Sequence, residues 1–437
     1  MRNFTRTGTA AALSAMMVVL AACGGGSNNG SGGSGDQVTL SVMHNWTGQD
    51  AKATAMRGLL DQFQEDHPDI KLEVEGLATD GLKTRLRTVA AANEMPDLFV
   101  MWPGVMTQEF VSGDLIQPIG EYLDSKPEWK DNFIENAFDD YTVDGKIYSA
   151  PMNLAPTSFV YYNQAIFDEY GVEVPKTWDE LLAAIETFNQ NDVIPIALGN
   201  KANWFVQSTI FSSLGDRVTG TDWFLKAVAQ DGASFTDPQF VAALDKLQEL
   251  SEADAFQDGF NSIDENQMVQ LYFQGKAAMF ISGGWAMANV VKNAPEDILQ
   301  QTHITILPSV EGGEGDPMST SGVVGTGMGI SSKLEGAEKE AAMELLYALS
   351  GPEGQQATLE SSTLVSYDIP LDESKADPLF VELYNLMQDI KITPVYDAKL
   401  SSAAVEVTNN GLQELLGGGD PAAIAEKIQN AQVGAAQ

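Results

Sequence analysis

The sequence predicts an open α/β fold made of two successive units. Residues 38–42 alternate apolar and polar side chains like a half-buried strand, and residues 51–66 then place apolar side chains on one helical face. Residues 70–74 predict a second strand, residues 82–92 a second helix, and the continuous apolar run 98–101 a central parallel strand. This β-α-β-α-β order is typical of an open sheet with right-handed crossovers.

The second unit begins near residue 152. Asp144-Gly145 predicts a hairpin turn shortly before it, and residues 158–162 predict its first strand. Thr177 and Glu180 have the spacing of a capping box, which predicts the start of an amphipathic helix. Further strands are expected at residues 193–198, 277–281, 304–307 and 323–330, and helices should fill most of the C-terminal part.

The composition excludes several classes of partner. The 437 residues include 61 acidic and 24 basic side chains, which gives a formal net charge of -37. Such a surface repels phosphate backbones and anionic lipids, so we expect neither nucleic-acid binding nor docking of the protein surface on a membrane. The length suits two domains with separate cores, and a single cysteine allows no disulfide framework.

That cysteine, Cys23, ends the tetrapeptide Leu-Ala-Ala-Cys after a short apolar run, and a Gly/Ser/Asn-rich stretch follows it. The arrangement resembles the lipobox of bacterial lipoproteins, with residues 1–22 as a signal peptide and residues 23–37 as a flexible tether. The resemblance implies lipid attachment at Cys23 and a position on the outer face of the cell membrane, at the cell surface or in the periplasm. A buried structural cysteine, a free thiol and a non-lipidated secretory signal are the alternatives.

Motifs for catalysis or metal binding are not evident in the sequence. His44, His67 and His303 match no metal-ligand spacing, and neither a nucleophile elbow nor a phosphate-binding glycine loop is present. Some pair of acidic residues could always be proposed as glycosidase catalysts, but with 61 of them no particular pair is informative. We therefore expect no metal, no cofactor and no enzymatic activity.

Four tryptophans follow predicted strands: Trp46, Trp102, Trp204 and Trp285. Ligands of open α/β sheets bind at the carboxyl ends of strands. An indole is a flat surface with a negative face, which suits the C–H patches of a sugar ring, while carboxylate and amide groups suit its hydroxyls. Each tryptophan taken alone is more simply explained as a core residue, but four at equivalent positions favour a carbohydrate site.

A family resemblance extends over the whole chain after the tether. The chain resembles the family 1 extracellular solute-binding proteins of ABC sugar importers, which include maltose-binding protein. The similar segments are residues 46–48, 96–102, 145–151, 161–163, 175–181, 273–279, 283–285 and 396–397. The resemblance implies a two-lobe periplasmic-binding-protein-like fold of type II, in which each lobe is an open mixed sheet flanked by helices and hinge strands join the lobes. The expected lobes are residues 38–151 with 303–348, and residues 152–302 with 349–437.

The resemblance also implies a ligand site between the lobes. Trp46, Thr47 and Trp102 would line one lobe, and Trp204 and Trp285 would line the other, with Trp285 stacking on a sugar ring. Further expected contacts are Tyr396, Asp397, Asp80 and Asn153, whereas Trp178 is assigned to structure. The family's maltose-binding member has charged residues where Pro103-Gly104 follow Trp102 here, which argues against maltose as the ligand.

The function expected from the sequence is capture of a sugar or oligosaccharide and its delivery to the membrane permease of an ABC importer. The protein would be a monomer, held to the membrane only by its N-terminal lipid. The alternatives are a binding protein for a non-sugar solute, a surface glycoside hydrolase and a structural adhesin.

Overall fold

The computed structural model describes residues 37–434. The predicted signal peptide, the predicted lipidation site Cys23 and nearly all of the predicted tether lie outside the described residues. Within the described part, no helix combines the length and the apolar character that crossing a membrane requires.

The strands in the described part of the chain form four sheets. They are β1 Val38–His44, β2 Ile70–Gly76, β3 Leu98–Met101, β4 Thr142–Val143, β5 Lys146–Ile147, β6 Ala155–Pro156, β7 Phe159–Asn163, β8 Ile194–Ala197, β9 Ala277–Ser282, β10 Thr302–Ile306, β11 Ser319–Val323, β12 Gly327–Ile330 and β13 Lys391–Pro394.

Helices pack around these sheets. They are α1 Ala51–Asp66, α2 Thr79–Ala92, α3 Val105–Ser112, α4 Gly120–Asp124, α5 Pro127–Lys130, α6 Gln164–Tyr170, α7 Trp178–Asn189, α8 Trp204–Val206, α9 Ser212–Thr219, α10 Thr221–Ala229, α11 Pro238–Glu252, α12 Glu265–Phe273, α13 Met287–Asn293, α14 Glu296–Leu299, α15 Gly336–Ser350, α16 Pro352–Glu360, α17 Pro378–Asp389, α18 Ser402–Leu416 and α19 Pro421–Gly434. Short 3-10 turns occur at Asp139–Tyr141, Phe260–Ser262, Gly284–Ala286 and Tyr396–Ala398, and a π-helical segment occurs at Gln207–Phe211.

The first sheet has the strand order β12-β3-β1-β2. Strand β1 is parallel to both β2 and β3, and β12 is antiparallel to β3. All four residues of β3 are buried, as its continuous apolar sequence predicts for a central strand. This sheet and helices α1, α2 and α15 enclose one hydrophobic core, here called the first core.

The second sheet has the strand order β10-β7-β9-β8, with β7 antiparallel to both of its neighbours. Its core, here called the second core, includes residues of α7, α11, α12 and α18. Helix α7 begins at the predicted capping box, in which the Thr177 hydroxyl accepts from the Glu180 amide and the Glu180 carboxylate accepts from the Thr177 amide. We call the parts of the chain around the two cores the first half and the second half.

A third sheet, in the order β13-β11-β6, contains segments that run between the halves. Strand β6 lies between Met152 of the first core and Phe159 of the second, and β11 lies between Leu307 of the second core and Met328 of the first. The Thr157 hydroxyl lies 2.6 Å from that of Ser321, which ties these two connections together. The predicted α/β class, with two mixed-sheet units and connecting strands, is confirmed.

Two details of the predicted organisation differ from the structure. Strand β10 pairs with β7 in the second sheet, although residues 303–348 were expected in the first lobe. The strand expected at residues 323–330 is not continuous, since β11 ends at Val323 and β12 begins at Gly327, because the chain turns at Gly325 with φ +91. A Cβ at Gly325 would overlap the backbone of Asn153, so glycine permits this close approach.

Candidate ligand-binding site

Trp102 directly follows β3 and is half-buried at the edge of the first core. Its carbonyl accepts a hydrogen bond from the Thr107 hydroxyl at 3.2 Å, which fixes the start of α3 against the strand end. Gly104, with φ +81, then brings the loop so close to Ala398 that a Cβ would overlap the Ala398 carbonyl. Trp102 therefore lies where the first half meets the Tyr396–Ala398 turn.

Trp204 and Trp285 lie on the second half. Trp204 begins α8, and Trp285 lies in the 3-10 turn that directly follows β9. Their ring centroids are 6.2 Å apart and their planes are inclined by 57°. Both side chains are half-buried and pack against the second core, so they form an angled pair of aromatic surfaces at its edge.

Each of these two indoles donates its N–H to a carboxylate. The Trp285 Nε1 donates to Glu265 Oε1 at 2.8 Å, and the same oxygen accepts from the Ser282 hydroxyl at 2.7 Å. The Trp204 Nε1 donates to Asp80 Oδ1 at 2.9 Å. Asp80 lies in the first turn of α2, whose Leu82 and Leu86 are in the first core, so the second bond joins the two halves.

Lys83 lies one helical turn after Asp80, on the same face of α2. Its ammonium is 4.7 Å from the centroid of the Trp102 ring and 5.1 Å from that of the Trp204 ring. Asp397 and Asp80 are its charged acidic neighbours. A single cation therefore lies over an indole from each half.

Burial shifts the ionisation of this group of residues. It lowers the pKa of Lys83, against the opposing effect of the Asp397 and Asp80 charges. It raises the pKa of Asp397, which the Lys83 charge partly offsets. Burial also raises the pKa of Glu265, although the hydrogen bonds from Ser282 and Trp285 act in the opposite direction. The side chains of Lys83, Glu265 and Asp397 are half-buried, so water is partly displaced around their charges.

We call these residues the boundary cluster: Asp80, Lys83, Trp102, Trp204, Glu265, Trp285 and Asp397. Five of them were expected site residues, and the structure brings these five together at the boundary between the halves. Lys83 and Glu265 were not expected. Charged residues are frequent in this chain, so nothing in the sequence distinguished Lys83 except its spacing of three from Asp80.

Tyr396 was expected to contact a ligand, but the structure places its side chain in the second core. Its side chain is 1% exposed and its ring stacks on Phe224, with centroids 4.0 Å apart, inside the second core. Phe211 packs edge-on against the same ring. The aromatic side chain points into the interior, and only the next residue, Asp397, reaches the boundary.

Trp46 does not present an open stacking surface either. It is 3% exposed, belongs to the first core and stacks on His44, with ring centroids 4.8 Å apart. Thr47 is exposed and follows it in the loop. Asn153 is buried, where its side-chain oxygen accepts from the Thr326 hydroxyl at 3.1 Å and its carbonyl accepts from Ser366. Asn153 thus holds a connection between the halves in place.

The boundary cluster can bind a ring that carries hydroxyl groups. The carboxylates of Asp80 and Glu265 hold the indole N–H groups, which orients the flat faces of Trp204 and Trp285. The second oxygen of each carboxylate has no hydrogen-bond partner among residues 37–434 and can accept from a hydroxyl. No group of three or more His, Cys, Asp or Glu side chains in that range is arranged to hold a metal ion.

The comparisons with known proteins all lead to one family. Residues 45–356 match the family model for bacterial extracellular solute-binding proteins. An uncharacterized ABC transporter extracellular-binding protein of Pyrococcus horikoshii is 28% identical over 265 residues, which cover 60% of each chain. The melibiose/raffinose/stachyose-binding protein MelE of Bacillus subtilis is 22% identical over 361 residues, which cover 80% of this chain and 78% of MelE. The chain thus spans only about 60% of the length of the first of these relatives.

Solved structures share the fold. A protein studied for xylan utilization by the thermophilic bacterium Caldanaerobius polysaccharolyticus superposes with a TM-score of 0.82 at 29% identity, covering 90% of this chain and 99% of the other. A chitin oligosaccharide binding protein gives the same TM-score at 24% identity, covering 91% of this chain and 98% of its own. The resemblance derived from the sequence motifs is therefore confirmed.

Proposed function

Because this chain belongs to the family of bacterial extracellular solute-binding proteins, we propose that it captures a sugar or oligosaccharide between its two halves and delivers it to an ABC importer. One observation carries the proposal: indole faces from both halves meet at the boundary cluster, among carboxylates that can accept hydroxyl hydrogen bonds. The names of relatives support the same class of ligand, since they include a multiple sugar-binding protein of Streptococcus mutans and MelE.

The binding mechanism follows from the connections between the halves. The strands of the third sheet can act as a hinge, so that the halves separate to admit a ligand and close around it. A sugar ring stacked on Trp285 would contact the first half only in the closed arrangement, and these additional contacts would favour closure. The closed form would then dock on the permease.

We assign residues 38–151 and the β12–α15 segment to one lobe and the remaining described residues to the other.

We also propose that the protein acts outside the cell membrane as a lipid-anchored monomer. The Leu-Ala-Ala-Cys sequence ending at Cys23 supports the anchor, and the acidic surface argues against other membrane attachment. Metabolic labelling with a radioactive fatty acid tests the anchor directly. Labelled wild-type protein and unlabelled Cys23→Ser protein are expected, and wild-type protein without label would exclude lipidation at Cys23.

Binding without bond cleavage is the proposed activity. Glu265 and Asp80 are each engaged by an indole N–H, which suits an orienting role better than proton transfer. The glycoside hydrolase alternative predicts release of reducing ends from oligosaccharides, and an assay for reducing sugar distinguishes the two. Release of reducing ends that depends on Glu265 would show that the protein is a glycoside hydrolase instead.

The decisive experiment is a thermal-shift screen against mono- and oligosaccharides, followed by calorimetry with the best ligand. A bound ligand raises the apparent stability by mass action. Trp285→Ala should then weaken binding by about 1–3 kcal/mol, which is roughly tenfold to more than a hundredfold in Kd. Trp223→Ala is the matched control, since Trp223 is also half-buried and donates its N–H to a carboxylate, that of Asp237 at 3.0 Å, but lies outside the boundary cluster. Equal sugar affinity of Trp285→Ala and wild type would remove Trp285 from the site.

A further inference from the structure

The Lys83 ammonium lies over two of the indole faces that the proposed function needs. Its distances of 4.7 Å to the Trp102 centroid and 5.1 Å to the Trp204 centroid are both within the range of a cation–π contact. A sugar ring stacked on either face would need the same space. The side chain and a ligand therefore compete for these surfaces.

Several features hold Lys83 in this position. Helix α2 is anchored by Leu82 and Leu86 in the first core, so the adjacent Lys83 is presented at the boundary. Asp80, one turn earlier, binds the Trp204 indole N–H and so turns that ring toward the same helix face. Asp397 supplies an opposite charge from the second half. The ammonium thus covers an indole of each half, and a carboxylate of each half attracts it electrostatically.

We propose that Lys83 is an internal competitor of the ligand, which bridges Trp102 and Trp204 in the free protein and must be displaced before a sugar can stack there. The bridge joins the first half to the second, so it also favours contact between the halves when no sugar is bound. Asp397 is the acceptor toward which the displaced ammonium can move. The inference rests on the proposed function for its ligand and deepens it by naming the residue that sets the affinity.

The size of the effect follows from the two contacts. Cation–π contacts that are partly shielded from water are each strong enough to change an equilibrium several-fold. If the bridged form does not bind sugar, the observed Kd equals the intrinsic Kd divided by the fraction of the protein that is not bridged, so a fraction of about one tenth raises it about tenfold. Removing the ammonium should therefore tighten sugar binding by about tenfold.

The first test measures sugar affinity by calorimetry, with the sugar found in the thermal-shift screen. Lys83→Met keeps the length of the side chain but removes the charge, and Lys83→Arg keeps the charge and the ability to stack. Lys339→Met is the matched control, because Lys339 is an exposed lysine on α15 of the same half. We expect about tenfold tighter binding for Lys83→Met and affinity near wild type for the other two variants. Unchanged or weaker binding by Lys83→Met would overturn the proposal, and weaker binding would make Lys83 a ligand contact.

The second test needs no sugar. Small-angle X-ray scattering of the chain from residue 24 onward should give a larger radius of gyration for Lys83→Met than for Lys339→Met, because the bridge between the halves is lost. Equal radii would overturn the proposal. If wild type and Lys83→Met both fail to bind every sugar of the screen, the proposed function has failed, and the scattering alone decides whether Lys83 bridges the halves.

Discussion

Acidification should destabilise this protein through His44. The side chain ends β1, is 4% exposed and accepts a hydrogen bond from the Trp46 amide at Nδ1, 3.1 Å away. The neutral ring must then carry its proton on Nε2. Burial is the main cause that lowers the pKa of His44 to about 4 from its ordinary 6.5, and the nearby Arg57 charge adds to the shift.

The direction of the stability change follows from whether the folded or the unfolded protein binds the proton. Between pH 6.5 and 4 the unfolded chain takes up a proton at His44 and the folded protein does not, so acidification in this window favours unfolding. The full difference corresponds to about 3 kcal/mol, reached below pH 4, and about 2 kcal/mol of it is lost between pH 7 and pH 5. Above about pH 7.5 the contribution of His44 is flat.

Urea denaturation at pH 7 and pH 5 measures this effect when wild type is compared with His44→Gln. The glutamine cannot titrate, so the stability of wild type relative to the variant should fall by about 2 kcal/mol between the two pH values. Carboxyl groups that titrate nearby contribute to both proteins and cancel in the comparison. A pH-independent difference, or a His44 ring resonance that titrates near pH 6.5 by NMR, would refute the reasoning.

Three other substitutions test the boundary cluster and its surroundings. Alanine at position 283 is compatible with the backbone φ of -76, but its Cβ would overlap the Trp285 ring. The ring must then move, so calorimetry of Gly283→Ala should show a loss of at least about tenfold in sugar affinity. Glu265→Ala removes the acceptor that orients Trp285 and should cost about 1–2 kcal/mol of sugar binding by calorimetry, whereas Glu249→Ala removes another indole acceptor outside the cluster and should cost none. Tyr396→Phe should change the urea-measured free energy of unfolding by less than about 1 kcal/mol, because the hydroxyl has no well-formed hydrogen bond to any of residues 37–434. It should leave sugar affinity unchanged, and a tenfold weaker affinity would place Tyr396 in the site.

Local sequence patterns predicted the strands and helices of this fold, but they did not predict every pairing between strands. The alternation of residues 304–307 correctly predicted a strand, because every second side chain of β10 is buried. It did not predict that β10 pairs with β7, since a period of two describes one strand and not its neighbour. The structure therefore places β10 in the second sheet and its buried side chains in the second core, and not in the first half as expected.

Residues of the boundary cluster were predictable where they come just after the end of a strand, because the strand then determines where they lie. Trp102 directly follows β3, and Trp285 lies three residues after the end of β9. Residues at such positions lie at the edge of a sheet, so topology alone brought them near the boundary. Tyr396 also follows a strand, β13, yet it turns into the second core. An aromatic side chain suits a core and a ligand surface equally well, so its residue type could not decide.

The two indole–carboxylate bonds have different consequences for binding. Trp285 and Glu265 both belong to the second half, so their bond does not depend on contact between the halves, and Trp285 can offer its face to a ligand in the open form. The bond between Trp204 and Asp80 joins the halves and must break when they separate. In the proposed mechanism, Trp204 would reach its final orientation only on closure, and its carboxylate partner would be freed on opening. We infer that a sugar first stacks on Trp285, and that Asp80, Trp204 and Lys83 then decide whether the halves close around it.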